Sequence, residues 1–132
     1  FPRTAPVRFV DVGAALGDCM LVAANIFPYG QLHGLAFEAN PTSALLLRET
    51  VQLNGLTPSP AGSNASQVWV RDVALGPPDR QFLQGYISHV GFGAGAPRDR
   101  APQKIRSATF DSQLEGMGWS YVDLMSVFTN GW

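Results

Sequence analysis

One cysteine, two histidines and a charged fraction of only 14% leave this 132-residue chain thin in the side chains that most often do chemistry. The lone Cys19 excludes an intrachain disulfide and a thiolate-rich metal site, and no metal site is expected. His33 and His89 have no partner at catalytic spacing and read as surface residues. Nine basic residues against ten acidic give a net charge of −1. No basic field draws in nucleic acid or anionic lipid, so neither is expected as a partner. Long apolar runs are missing too. The longest, Cys19 to Phe27, falls well short of the roughly 20 residues that span a bilayer. A phosphate loop ending in G-K-[ST] is absent. The opening segment "FPRTAPVRF" has neither an initiator Met nor the apolar core of a signal peptide. It reads as the start of a processed or partial chain.

What is present is apolar. Residues of that class make up 45% of the chain, with 14 glycines and 10 prolines. That composition suits one globular domain over residues 1–132, and a chain of this size buries roughly two-thirds of its unfolded surface. Arg8 to Val12 predicts a buried strand. Asp18 to Phe27 predicts a helix with Met20, Leu21, Ala24 and Phe27 on one side, and Cys19 among its core residues. Gly34 to Phe37 is a second strand, closed by Glu38. Asn40 predicts an N-cap, with Pro41 at the first helical position and Gly55 as the stop. The helix between them presents Ala44, Leu47 and Val51 on one face. "QVWVRDVAL" is a third strand, and Gln81 to Val90 an additional extended segment. Residues 91–103 read as a flexible loop. Asp111 is expected to cap a short helix, and Tyr121 to Phe128 a fourth strand. Alternating strands and helices predict an α/β fold with a parallel sheet.

Ligands of such sheets lie at the carboxyl ends of the strands. Asp11, Gly13 and Gly17 end the first strand, Glu38 the second, and Asp72 the third. The glycines let backbone approach a ligand, and the acids orient it. The spacing Gly13-x-x-x-Gly17 is not the G-x-G-x-x-G of a dinucleotide site. Acids at both strand ends favour a ligand bearing hydroxyls and an ammonium over one rich in phosphate. S-adenosylmethionine has both.

The blocks "FVDVGAALGD", "LAFEANPTSALLLRETVQLNGL", "VALG", "ATFDSQL" and "VDLM" follow the order and spacing of the FkbM-type S-adenosylmethionine-dependent methyltransferases, which this chain resembles from Arg8 to Gly131. The resemblance implies a Rossmann-like methyltransferase fold, its sheet ordered 3-2-1-4 with helices on both faces. It also implies O-methylation of a hydroxyl acceptor. Asp11, Gly13, Gly17 and Glu38 would contact the cofactor, Asn40 would shape the loop after Glu38, and Asp72 or Val73 would lie near the adenine. Ala15 departs from the family, which commonly carries Asn there. After "VDLM" the family continues Lys-Ile-Asp-Val-Glu-Gly, whereas this chain reads Ser126 to Gly131, with Phe128 and Asn130 where the acids belong. The last three strands of a methyltransferase sheet are not in the chain, which reads as truncated.

Two functions therefore stand side by side. One is an S-adenosylmethionine-dependent methyltransferase. The other is a catalytically degenerate domain, with or without the cofactor, that serves as a structural or assembly subunit of a larger complex. The fourth strand, Tyr121 to Phe128, would then be an apolar edge covered by a protein partner. Trp69, Trp119 and Trp132 read as packing residues, and Asp123 as a fold residue. Asn64-Ala65-Ser66 matches a glycosylation sequon, a pattern short enough to arise by chance.

Overall fold

The computed structural model describes residues 5–27, 30–59, 65–88, 91–93 and 101–129. In chain order the elements are β1 (Val7–Val12), α1 (Asp18–Ile26), β2 (Leu32–Phe37), α2 (Pro41–Leu53), β3 (Gln67–Arg71), β4 (Ala74–Leu75), β5 (Phe82–Ser88), β6 (Gly91–Gly93), β7 (Gln103–Ala108), α3 (Phe110–Gly116) and β8 (Leu124–Val127). The main sheet is parallel throughout, in the order β3-β2-β1-β8. With β8 as the fourth strand, shorter than the expected Tyr121 to Phe128, this is the expected 3-2-1-4 order, an α/β arrangement consistent with the Rossmann-like class.

A parallel sheet needs cover on both faces, and side chains that alternate along each strand supply it. Phe9, Ala36 and Val68 point to one face, where Met20 and Ala23 of α1 and Leu47 and Val51 of α2 close over them. Val10, Val12, Leu35 and Phe37 point to the other, against Trp119, with Phe110 and Leu114 of α3 packed around them. Asn40 caps α2 as its type predicts: its side chain accepts from the amides of Thr42 and Ser43, with Pro41 following. On that second face, Trp69 of β3 meets Trp119 edge-on with ring centres 6.3 Å apart. Arg8 lies over the ring of Tyr121 at 4.3 Å. Asp123 ties strand to strand, its carboxylate accepting from the Arg8 amide at 2.9 Å, a fold role as expected.

Several sequence expectations need correction. The third strand does not run through to Leu75. It ends at Arg71, and after Asp72 and Val73 the chain enters a second sheet, β4-β7-β5-β6. There β4 is parallel to β7, and the other pairs are antiparallel. The loop expected over 91–103 is narrower, because 91–93 form β6 and Gln103 opens β7; residues 94–100 lie outside the described residues. Thr109, not Asp111, caps α3, its hydroxyl accepting from the Ser112 amide at 3.1 Å. Asp111 sits in the first turn instead. Cys19 is exposed rather than in the core, since the phase of α1 turns Met20 and Ala23 inward. His33 is half-buried, 5.4 Å edge-on from Trp69, rather than on the surface. His89, Asn64, Asn130, Gly131 and Trp132 fall outside the described residues.

Among the described residues, β8 pairs only with β1 and forms the edge of the sheet. Its apolar side chains are open: Leu124 and Met125 are about half exposed, and Phe128 just beyond the strand is 74% exposed. No described helix is long and apolar enough to cross a membrane.

Candidate functional site

The chain runs outward from β1 through β2 to β3, then returns to the other side of β1 as β8. The strand order reverses between β1 and β8, and at such a point the connections leave in opposite directions and open a crevice at the carboxyl ends. Asp11, Gly13 and Gly17 all belong to the end of β1 or the loop leaving it.

That loop is pinned rather than slack. The amides of Gly13 and Ala14 both donate to the Phe37 carbonyl, at 2.9 and 3.0 Å, so the end of β2 holds the turn. Gly13 has φ +79°, in the left-handed region, and a Cβ there would run into the backbone carbonyl of Phe128. Both the turn and the close passage of β8 therefore require glycine. Gly17, φ +96°, precedes α1, and a Cβ there would stand 2.7 Å from the Leu47 side chain. Its absence lets α1 begin tight against α2. Ala15 has φ +48° without being glycine. An alanine held in this left-handed region carries a conformational cost that Gly or Asn would lessen.

Glu38 reaches back from the end of β2 into the same loop. One carboxylate oxygen accepts from the Ala15 amide at 2.8 Å and the other from the Asn40 amide at 2.7 Å. A single buried acid thus links the loop after β1 to the start of α2. Because a carboxylate offers about four acceptor positions, two such bonds leave capacity for hydroxyl donors from a ligand.

Asp11 lies beneath this turn on the last residues of β1, 2% exposed. Burial pushes its carboxyl above the ordinary aspartate range, a hydrogen bond from Ser126 pulls it back, and the neighbouring charge of Glu38 pushes it up again. Its Oδ2 is buried with no hydrogen-bond partner among the described residues. An unpaired buried carboxylate oxygen is costly unless something positive or proton-bearing meets it. Ser126, opposite Asp11 in the β1–β8 register, also lies 3.8 Å from the Cys19 sulfur.

The structure thus gathers Asp11, Gly13, Gly17, Glu38 and Asn40 around one loop. Asp72 stands apart: its carboxylate is paired with Arg48 of α2 at 3.1 Å on the surface, with half the side chain exposed. Ser126 and Cys19 belong to the group although motif spacing does not mark them. Only the pairing of the first and last strands of the sheet puts Ser126 beside Asp11.

Two adjacent buried acids repel phosphate and attract cations and hydroxyl donors. The carboxylate acceptors of Asp11 and Glu38, with one Asp11 oxygen partnerless, and the close backbone at Gly13 make an edge suited to a ligand carrying positive charge and hydroxyl donors. The chain matches no protein-family model, no curated protein and no solved structure. Its own geometry is what bears on function.

Proposed function

We propose that the carboxyl edge of β1 and β2 binds S-adenosylmethionine, and that the domain is a methyltransferase of the FkbM type acting on a hydroxyl acceptor. The observation that carries this reading is the buried, partnerless oxygen of Asp11 beside a glycine turn braced by Glu38, where the strand order reverses. Asp11 would hold the ammonium of the amino-acid arm, and the backbone of the Gly13 to Gly17 loop would run along that arm. Glu38 would accept the ribose hydroxyls on the lone pairs its two amide bonds leave. When bound, the cofactor supplies a sulfonium-activated methyl group. The protein's share of the rate is then mainly alignment of an acceptor oxygen in line with that methyl.

Isothermal titration calorimetry of the folded chain with S-adenosylmethionine tests the reading. Saturable heat that disappears in Asp11→Asn is the expected result. A folded sample that takes up no cofactor removes the methyltransferase.

A second reading has its own observations. The chain carries Phe128, exposed, where the resemblance leads one to expect an acid that orients an acceptor hydroxyl. The edge strand β8 is free of charge and shows Leu124, Met125 and Val127 to solvent. A domain kept as a subunit of a complex, its β8 edge extended by a strand of a partner protein, accounts for both. Cofactor binding without methyl transfer to any hydroxyl acceptor, together with association relieved by Met125→Lys, selects this reading.

A further inference from the structure

The overall charge of −1 conceals a segregation that the fold makes spatial. Residues 74–108, the stretch from β4 to β7, carry five of the nine basic residues and two of the ten acidic ones, a net charge of +3; the rest of the chain stands at −4. The second sheet is thus built from a cationic stretch of an otherwise acidic chain, and charge divided in this way points to an anionic partner. Side-chain alternation gives that sheet two faces. Leu83 and Ile105 are register partners and turn inward, packed with Ala74 and Ala39. The flanking pairs, Phe82 with Arg106 and Gln84 with Lys104, turn outward, and all four side chains are exposed. Tyr86, half-buried, follows Gln84 on the same side. The Lys104 ammonium stands 4.0 Å from the centre of the Phe82 ring. Lys104 and Arg106 are two residues apart on β7, which spaces them about 7 Å along the strand. Arg80, just before β5, is exposed as well. None of these three cations has a carboxylate within ion-pair distance among the described residues.

We propose that the outer face of the second sheet binds single-stranded nucleic acid, with a base stacked at Phe82 and phosphates held by Lys104 and Arg106. The proposal runs against the expectation from overall charge, and it is independent of the cofactor reading above. An exposed ring beside unpaired cations suits a nucleotide, whose base offers a flat face and whose phosphate needs a counter-charge. An acidic polypeptide would use the cations and leave the ring idle. A duplex keeps its bases stacked inside and offers Phe82 nothing to meet, so the fit is to an unpaired strand. The face is small, and two phosphates are what Lys104 and Arg106 neutralise. Each phosphate neutralised on a single strand contributes about 0.7 to the slope of log affinity against log salt. The expected slope is therefore about −1.4.

The experiment is fluorescence anisotropy of a labelled oligothymidylate of about eight nucleotides, titrated with the whole chain between about 50 and 200 mM salt. The variants are Lys104→Gln, Arg106→Gln, Phe82→Leu and, as a control on α2, Arg48→Gln. All four positions are exposed, and circular dichroism checks that each variant keeps the fold. Lys104→Gln and Arg106→Gln should each lower the steepness of the salt dependence by about 0.7. Phe82→Leu keeps the apolar bulk and loses the ring, so affinity should fall about tenfold with the salt slope unchanged. Arg48→Gln should leave affinity and slope as in wild type. A wild-type chain that leaves the oligonucleotide free at the lowest salt overturns the proposal, and so does a Phe82→Leu variant that binds as wild type does. Equal competition by polyglutamate assigns the face to an acidic polypeptide, equal competition by phosphatidylserine vesicles assigns it to a lipid surface, and either result overturns it as well.

Discussion

Replacing Glu38 with Gln probes the joint between the two parts of the site. The carboxylate accepts two short backbone bonds, 2.8 Å from Ala15 and 2.7 Å from Asn40, and it is 6% exposed. At that burial water replaces a lost acceptor only poorly. Glutamine keeps one carbonyl oxygen and turns an NH2 toward the other amide, so one charge-assisted bond is lost and two donors face each other. A hydrogen bond to a charged acceptor contributes about 1.5–3 kcal/mol, and a buried amide left without an acceptor costs a similar amount. The expected loss for Glu38→Gln is about 2–3 kcal/mol, and for Glu38→Ala, which abandons both amides, about 4 kcal/mol. With a urea slope of about 1–3 kcal/mol per molar for a domain of this size, the Gln midpoint drops by about 1 M. Urea unfolding followed by fluorescence of Trp69 and Trp119 in the core measures this directly. Hydrogen exchange should quicken at the amides of Ala15 and Asn40 in advance of the rest of the loop. A Gln variant within 0.5 kcal/mol of wild type (~ the scatter of ordinary surface changes) refutes the bracing role, and so does an Ala variant no worse than the Gln.

Three further perturbations address the same edge and its opposite end. Gly13→Ala adds a Cβ against the Phe128 carbonyl at a φ of +79°, so it should cost about 3 kcal/mol or more and loosen β8 from β1, read as faster exchange at the Phe128 amide. Asp11→Asn should stabilise the free protein at pH 7 while it abolishes cofactor binding. A carboxyl raised on folding is penalised once the unfolded chain ionises, so the gain fades as pH falls below the ordinary aspartate value of 3.8; a destabilised Asn variant at neutral pH contradicts this. His33 is held below its ordinary 6.5 by burial and by Arg8, so the unfolded chain takes up the proton first and stability falls as pH drops through that value. In His33→Gln the slope of stability against pH should flatten between about pH 6.5 and 5, as followed by thermal melts; an unaltered slope refutes the assignment.

How much of this was legible beforehand depends on how local each signal is. The β1-α1-β2-α2 series follows from periodicity and from the Asn40-Pro41 cap, and each of these lies within a few residues. The second sheet was not legible. Its β7 segment, "QKIRSA", buries only Ile105, and β4 is two residues long, so neither carries an alternating pattern. What stabilises them is pairing with distant strands. Cys19 has apolar neighbours that suggest the core, yet the helix phase, not the neighbourhood, decides which of them face the sheet. The site divides the same way. Asp11, Gly13 and Glu38 stand at strand ends and could be read in order along the chain. Ser126 acquires its place only when the last strand pairs with the first, and no spacing rule reports that register.

The local rules that this sequence breaks are not scattered. Ala15 adopts a left-handed turn that a non-glycine residue resists, Asp11 buries a carboxylate with one oxygen partnerless, and β8 leaves apolar side chains open beside them. Each is a cost of roughly a kilocalorie or more that packing alone would remove by ordinary substitutions. Arg8 Nη1 and Ser107 Oγ are also buried without partners. Arg8, however, has the aromatic faces of Tyr121 and Trp119 beneath it, and the Ser107 hydroxyl carries no charge. At the amino ends of β1 and β8 the polar groups are matched, since the Asp123 carboxylate accepts from the Arg8 amide. One end of the sheet satisfies its own chemistry, and the other holds it in reserve. Sequences that specify a single structure tend to violate local consistency where something else must bind. That asymmetry is an argument for a ligand at the carboxyl ends of β1 and β8 that owes nothing to the family resemblance, and it would stand if the resemblance fell.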